Sequence, residues 1–177
     1  MRRSLLVAGW SVAALVAVGS MLRGLTRADQ ATPMPPGAVG ISAAVLGAID
    51  PVAAPGYELQ LFRSEWAPGS TINTHNHPGA LVSCVESGQL HFEIQTGAAS
   101  LIRAHGAGTP TAPEAIAPNQ PIVYGPGDCV AFDQDAADTV HTAWNDGSVP
   151  AVLWEAHLYR AGKPATTFTN EQGTPAP

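Results

Sequence analysis

The sequence predicts an all-β fold, in which two sheets close into a jelly-roll barrel. Hydrophobic residues make up 45% of the 177-residue chain and charged residues only 12%, a balance that can build a core and argues against disorder. Sixteen prolines and eighteen glycines divide the chain into short segments joined by tight turns, as is typical of all-β domains. Several segments alternate apolar and polar residues, which indicates half-buried strands.

The N-terminal segment, residues 1–28, has the pattern of a signal peptide or a membrane anchor. Arg2 and Arg3 precede an apolar stretch at residues 5–22, the order of charge and hydrophobicity found in export signals. The stretch is short for a bilayer span, so cleavage and retention both stay open. We expect an exported protein, in the periplasm or at the cell surface. It would contact the cytoplasmic membrane through residues 5–22 if the segment is retained.

The rest of the chain divides into three parts. Residues 29–50 predict a proline-containing linker that ends in an edge strand or a swapped arm. Residues 51–162 predict the main domain. Residues 163–177 contain threonine and proline and predict a tail that trails over the surface.

The strands of the main domain follow from alternation and from turn residues. Residues 105–121 are rich in glycine, proline, alanine and threonine without apolar periodicity, and they predict a long loop. The acidic segment 133–138 predicts a second loop. Predicted strands cover residues 57–66, ended by Pro68-Gly69, then a strand carrying His75 and His77, residues 81–86, 89–94, 122–124 and 129–132, the strand of His141, and residues 151–159.

Three histidines are the candidate site residues. His75 and His77 are separated by one residue, so their side chains point to the same face of a strand. His141 joins them only if the fold brings two distant strands together. Three imidazoles on one inward face can hold a metal ion, because neutral imidazole suits divalent transition metals. The alternative for the first pair is a polar strand exposed near a loop.

Two segments that carry these histidines resemble the motifs of the cupin superfamily. The first is Gly69-x5-His75-x-His77-Pro78-Gly79, and the second is Gly127-Asp128 followed by His141-x-x-x-Asn145. The resemblance covers residues 57–159. It implies a double-stranded β-barrel in which His75, His77 and His141 bind one divalent transition metal, namely Fe, Zn, Mn, Ni or Cu. It also implies a small-molecule ligand or substrate and dimers formed through the outer strands.

The chain departs from the cupin pattern at one ligand position. Leu81 stands where cupins usually carry a glutamate ligand, and the second motif lacks the usual Pro-x-Gly before its histidine. Three neutral histidines leave a divalent site with a net charge of about +2, whereas a glutamate would lower it to about +1. This arrangement is similar to the three-histidine iron sites of thiol dioxygenases and to the three-histidine zinc site that generates hydroxide. The alternative is a weakened site that fills only with abundant metal. The resemblance therefore implies a metal-dependent, dioxygenase-like enzyme; the alternative is a non-catalytic ligand-binding or envelope accessory protein.

Other carboxylates are weaker candidates for the missing ligand. Glu86 lies an odd number of residues from His77, so we expect it at the surface. Glu155, His157 and Tyr159 alternate on one face of the last strand. We expect that face in solvent; the alternative is that it lines the cavity, with His157 as a base and Tyr159 as a substrate contact.

Three further expectations concern Asn145, the two cysteines and the net charge of the chain. Asn145 is expected to hold the following turn rather than a metal. Cys84 and Cys129 lie in strands that would approach each other in a cupin barrel, so a disulfide and two buried thiols both stay open. A net charge of −6 without a basic run beyond the N-terminus argues against a nucleic-acid partner.

Overall fold

The computed structural model describes residues 36–105, 109–170 and 173–174. The leader at residues 1–28, with its apolar stretch at 5–22, lies outside the described residues, as do the start of the linker and parts of the predicted loop and tail. Within the described ranges, no helix has the length and the apolar composition needed to cross a membrane.

The described residues form an all-β structure, as the sequence predicts, with one short helix inside the segment 133–138 that was expected to be a loop. The elements are β1 (Ala38–Ile49), β2 (Tyr57–Asn76), β3 (Gly79–Ser87), β4 (Leu90–Thr96), β5 (Ala99–Ile102), β6 (Ala104–His105), β7 (Thr109–Pro110), β8 (Glu114–Ile116), β9 (Ile122–Tyr124), β10 (Cys129–Asp133), α1 (Gln134–Ala137), β11 (Val140–Trp144), β12 (Ala151–Arg160) and β13 (Thr167–Phe168).

The strands form a nearly closed antiparallel barrel of the jelly-roll type. Strand order in the main sheet is β8-β5-β10-β3-β12-β2-β11-β4-β9, and β1 and β13 also pair with β2. β2 occupies the centre, because it pairs with β12 through residues 57–66 and with β11 through residues 71–75. The strand thereby connects the two halves of the barrel.

The prediction that Pro68-Gly69 ends the strand was wrong. β2 continues through this point, where Gly69 takes a left-handed backbone conformation with φ of 77°. The Gly69 amide donates to the Asn145 carbonyl at 2.8 Å, and the Asn145 amide donates to the Ser70 carbonyl at 3.0 Å. Glycine adopts this left-handed conformation without steric cost. The cross-strand hydrogen bonds to Asn145 allow β2 to continue beyond Gly69.

Asn145 holds the turn that follows β11, as predicted. Its side-chain amide donates to the carbonyls of Trp66 and Val149 at 2.9 and 3.0 Å. Its side-chain carbonyl accepts from the Gly147 amide at 2.9 Å. Asn145 is almost completely buried, so these contacts satisfy an amide that would otherwise be costly to bury.

Part of the predicted loop at residues 105–121 is strand. β8 adds to the edge of β5, with Ala99 opposite Ile116, and the short strands β6 and β7 pair with each other. Edge pairing of this kind satisfies backbone groups that a structureless loop would leave to solvent. Ile116 is buried in the core, although its neighbours on β8 are exposed.

Cys84 and Cys129 form a disulfide, which resolves the alternative left open by the sequence. They stand directly opposite each other in the pairing of β3 with β10. The bond therefore links the strand that follows the first motif to the strand that opens the second.

Candidate metal centre

Strand pairing brings the three candidate histidines together. His75, near the end of β2, stands directly opposite His141 on β11, and His77 follows at the turn into β3. β11 has register irregularities on both of its edges next to His141. Bulges of this kind re-aim side chains. The expectation that two distant strands meet at these histidines is confirmed.

The three imidazoles form one compact cluster. Each offers a ring nitrogen within 4.8 Å of the nitrogens of the other two. The ring centroids of His75 and His141 lie 4.1 Å apart, and His77 lies 4.8 and 5.1 Å from them. All three side chains are buried. The alternative of an exposed polar strand is therefore wrong.

Backbone carbonyls orient two of the three rings. The Nδ1 atom of His75 donates to the Asn73 carbonyl at 2.7 Å, and the Nδ1 atom of His77 donates to the Ala165 carbonyl at 2.6 Å. With the proton held on Nδ1, the lone pair of each neutral ring is on Nε2. Metal-binding histidines are usually oriented in this way. The Nδ1 atom of His141 is buried without a hydrogen-bond partner among the described residues.

Burial keeps the imidazoles neutral. Desolvation lowers the pKa of His75 to about 4, although its hydrogen bond to Asn73 opposes the shift. Desolvation and the neighbouring histidines also hold the pKa values of His77 and His141 well below the usual value. Neutral imidazole is the form that binds metal, so the cluster needs no proton release near neutral pH to accept an ion.

The histidines open onto a cavity of about 330 Å³ inside the barrel. Its walls are mostly apolar, and Leu81, Leu90, Phe92, Phe132 and Leu153 are among the residues that line them. Leu81 is buried and faces the same cavity as the histidines. The position at which cupins usually carry a glutamate ligand is thus an apolar part of the wall.

The polar face of β12 points into this cavity, which corrects the expectation that it lies in solvent. Glu155 and His157 line the cavity, and Tyr159 is 3% exposed with its ring stacked on that of His77 at 5.4 Å. The opposite face carries Trp154, which is partly exposed. Alternation alone could not decide between the two faces, because both carry apolar surface.

A hydrogen-bonded chain holds Glu155 in the cavity wall. The Trp66 indole donates to the Ser64 hydroxyl at 3.1 Å, and that hydroxyl donates to one oxygen of Glu155. The second oxygen lies 3.2 Å from Nε2 of His157. Burial alone would raise the pKa of Glu155, but the contacts with His157 and Ser64 outweigh it, so the pKa is lowered. Sequence reasoning identified neither Ser64 nor this chain.

The segment after β12 closes the cavity, which corrects the prediction of a tail trailing over the surface. Residues 164–166 line the cavity, and β13 pairs with the end of β2, with Phe168 opposite His75. The aromatic ring of Phe168 lies 6.1 Å from that of His75. The composition of the segment does not indicate this role, because the role depends on the backbone carbonyl of Ala165 and on a single phenylalanine, Phe168.

Glu86 lies outside the cavity, as expected, and His91 lies outside it as well. Glu86 accepts from the Trp154 indole at 2.7 Å and lies 3.5 Å from Arg63 on the outer surface. His91 contacts Asp146 at 2.8 Å and stacks on Trp144. Among the described residues, no other group of three or more histidine, cysteine or acidic side chains is arranged to hold a metal ion.

The architecture and the site together decide the fold. The two segments that resemble the cupin motifs are neighbouring strands of one antiparallel jelly-roll barrel, and their histidines converge inside it. The chain has the cupin fold. Within this cupin barrel, the donor set is three neutral imidazole nitrogens, which suits Zn, Cu, Fe or Ni.

The chain is distantly similar to several solved structures. No protein-family model matches the chain, and no curated protein matches it. Among solved structures it is similar to a DMSP lyase, with 16% identity, a TM-score of 0.41, and coverage of 63% of this chain and 44% of the lyase. Lactobacillus farciminis oxalate decarboxylase, in its formate complex, is 15% identical, with a TM-score of 0.44 over 76% of this chain and 32% of the decarboxylase. The polyketide cyclase RemF from Streptomyces resistomycificus is 15% identical, with a TM-score of 0.41 over 78% of each chain. The chain spans less than half the length of the lyase and about a third of the decarboxylase.

Proposed function

We propose that this cupin-fold protein binds one divalent transition metal through His75, His77 and His141 and acts on a small, mainly apolar molecule. The convergence of three buried, neutral imidazoles on a mostly apolar cavity carries this proposal. A cavity of about 330 Å³ is at the small end of ligand pockets, which run from roughly 300 to 1,000 Å³. The reaction class proposed is oxidation of the dioxygenase type.

The chain's own groups suit such chemistry. A bound ion would supply a Lewis-acid centre with coordination positions left open by the missing carboxylate ligand. The apolar walls exclude bulk water and strengthen electrostatic interactions inside the cavity. Hydrogen bonds to Asn73 and Ala165 fix the rings of His75 and His77, and Glu155 offers an acceptor for a proton or a donor group of the substrate.

Metal analysis of protein purified without added metal tests the central claim. The wild type is expected to carry close to one equivalent of a transition metal, and His75→Ala and His141→Ala variants are expected to lose most of it. His91→Ala is the matched control, because His91 lies outside the cavity. Equal trace metal in the wild type and in both ligand variants would refute the site.

Oxygen uptake distinguishes an enzyme from a binding protein. Iron-loaded protein is expected to consume oxygen with at least one member of a panel of thiols, diketones and phenols. The second candidate function is a non-catalytic small-ligand-binding or envelope accessory protein, and Leu81 favours it because an apolar side chain replaces a ligand. Ligand binding by the iron-loaded protein without any oxygen consumption would select this second function.

We also propose that the protein is exported. The pattern of residues 1–28 and the disulfide between Cys84 and Cys129 support this, because structural disulfides persist mainly in oxidising compartments. Cell fractionation and mass spectrometry of the N-terminus test it and show whether residues 5–22 remain as an anchor. Replacement of Arg2 and Arg3 by glutamate is expected to retain the protein in the cytoplasm; unchanged fractionation of this variant would contradict the proposal.

A homodimer through the outer strands is the proposed assembly. Leu61 on β2 is opposite Ala156 on β12, which is opposite Val82 on β3, and the side chains of Leu61 and Val82 are exposed. Leu59 and Trp154 extend this exposed apolar surface on the same outer face. The wild type is expected to be dimeric by light scattering and Leu61→Glu monomeric. A monomeric wild type would refute the assembly.

A further inference from the structure

The cavity contains one carboxylate and, among the described residues, no lysine or arginine. That carboxylate belongs to Glu155, whose side chain is 17% exposed and which lines the cavity. Ser64 and His157 each contact one of its two oxygens. These two contacts therefore fix the carboxylate of Glu155 in the cavity wall.

Glu155 lies on β12, which pairs with β3, the strand that carries Leu81 in place of the usual glutamate ligand. β12 lies between β2 and β3, so Glu155 is next to Phe62 on one side and Ser83 on the other. Its field reaches His75, where it favours the protonated ring, although burial dominates. The cavity thus keeps an anion near the histidines, but it holds the anion through hydrogen bonds to protein rather than as part of the three-histidine cluster.

Glu155 retains capacity to bind a ligand. Each carboxylate oxygen has two lone pairs, and one protein contact on each oxygen leaves room for a further donor. His157, which lines the same cavity, is 6% exposed, and its Nδ1 atom has no hydrogen-bond partner among the described residues. The buried Nδ1 atom of His157 without a partner, next to a Glu155 carboxylate with free lone pairs, is the arrangement expected where the polar end of a ligand binds.

We propose that Glu155 determines ligand specificity, selecting small apolar molecules that end in an ammonium or hydroxyl group over those that end in a carboxylate. The proposal rests on the proposed function, because it assumes that the cavity binds a small molecule. The apolar wall accommodates the body of the ligand, and Glu155 accepts a hydrogen bond from its head. A carboxylate at this position would be repelled and would find no arginine or lysine among the described cavity residues.

Three probes that share a ring and differ in their head group test this selection: benzylamine, benzyl alcohol and benzoate. Binding to the full-length protein is measured by calorimetry, in the metal-stripped and the zinc-loaded form. Glu155→Gln is expected to weaken benzylamine binding about tenfold or more and to strengthen benzoate binding by a similar factor, because a nearby charge is removed. Benzyl alcohol is expected to change by less than about threefold, since glutamine keeps one acceptor oxygen.

Two further variants separate charge from structure. Ser64→Ala keeps the carboxylate and removes one hydrogen bond to it, so the preference for benzylamine over benzoate is expected to survive. Glu86→Gln makes the same chemical change at the outer surface and is expected to leave all three affinities unaltered. Equal changes for the three probes on Glu155→Gln, or none, would overturn the proposal.

The two forms of the protein keep this proposal distinct from the proposed metal site. If the histidine variants show that no metal binds, the ranking of the probes in metal-stripped protein still tests Glu155. If none of the three probes binds either form, the specificity proposal fails, while the metal content still decides the metal site. Circular dichroism and the melting temperature of Glu155→Gln show whether the variant is folded, and a folded variant with unchanged probe ranking refutes the proposal.

Discussion

His77 donates its Nδ1 proton to the backbone carbonyl of Ala165 across 2.6 Å, so a segment that follows the last long strand orients a candidate metal ligand. The same segment pairs with the end of β2 and places Phe168 against His75. Closure of the cavity and orientation of the histidines are therefore coupled.

Truncation after Lys163 tests this coupling. Loss of the Ala165 carbonyl is expected to lower zinc affinity by about 10- to 100-fold, the usual effect of removing a group that orients a metal ligand. A chain ending at Asn170 keeps the segment and is expected to bind zinc like the wild type. Affinity is measured by competition with a chromogenic chelator. Full zinc affinity in the shorter chain would show that the segment does not orient His77.

Leu81→Glu is expected to restore a carboxylate to the metal centre. Leu81 lines the cavity with the three histidines, and a carboxylate favours harder ions. Affinity for Mn²⁺ is expected to rise at least about tenfold, while the metal-free barrel loses a few kcal/mol because a polar group is buried. Leu81→Gln serves as the control, because glutamine is similar in shape to glutamate but is uncharged. Equal Mn²⁺ affinity in the two variants would show that position 81 does not reach the metal.

The sequence was sufficient to predict the barrel and the histidine cluster. The turns of the barrel and the common face of His75 and His77 depend on features that act locally, namely glycine and proline at the turns and the one-residue spacing of the two histidines. The position of His141 required the resemblance to the second cupin motif, since its partner strand is distant in the chain. Strand pairing then confirmed that His75 and His141 are opposite each other.

The remaining parts of the site depend on tertiary contacts that leave little trace in the sequence. Glu155 and His157 face inward because the register of β12 with β2 and β3 places Glu155 beside Phe62 and Ser83, which also line the cavity; alternation along β12 does not reveal which face is covered. Ala165 acts through its backbone carbonyl, which every residue type possesses. Pro68-Gly69 indicated a strand end, but hydrogen bonds with Asn145 carry β2 through it.

The disulfide is expected to stabilise the barrel. Cys84 and Cys129 are 45 residues apart in the chain, and crosslinks that close loops of this length typically contribute about 2–4 kcal/mol. Replacement of both cysteines by alanine is expected to lower the free energy of unfolding by that amount in urea titrations. A thiol reductant should destabilise the wild type and leave the variant unchanged. Equal sensitivity of both proteins to the reductant would contradict this role.

The buried histidines predict that the metal-free barrel is sensitive to acid. The pKa of His75 is lowered from 6.5 to about 4, mainly by burial, and His77 and His141 shift in the same direction. Below pH 6.5 the unfolded chain takes up protons that the folded chain does not, so stability falls as the pH falls. The loss ends only when the folded protein is itself protonated, near pH 4 for His75. This residue alone accounts for about 3 kcal/mol over the interval.

Urea titrations of metal-stripped protein between pH 7.5 and pH 4.5 measure this loss. Stability is expected to be flat above about pH 7 and to fall steeply below about pH 6. His75→Gln removes one of the three buried rings, so its stability should depend less strongly on pH. Saturating zinc should stabilise the folded protein by a similar amount across this range, because the folded rings are already neutral and protonation competes with the metal only near pH 4 for His75. A wild type whose stability is constant across this range would mean that the histidines are not held neutral by burial.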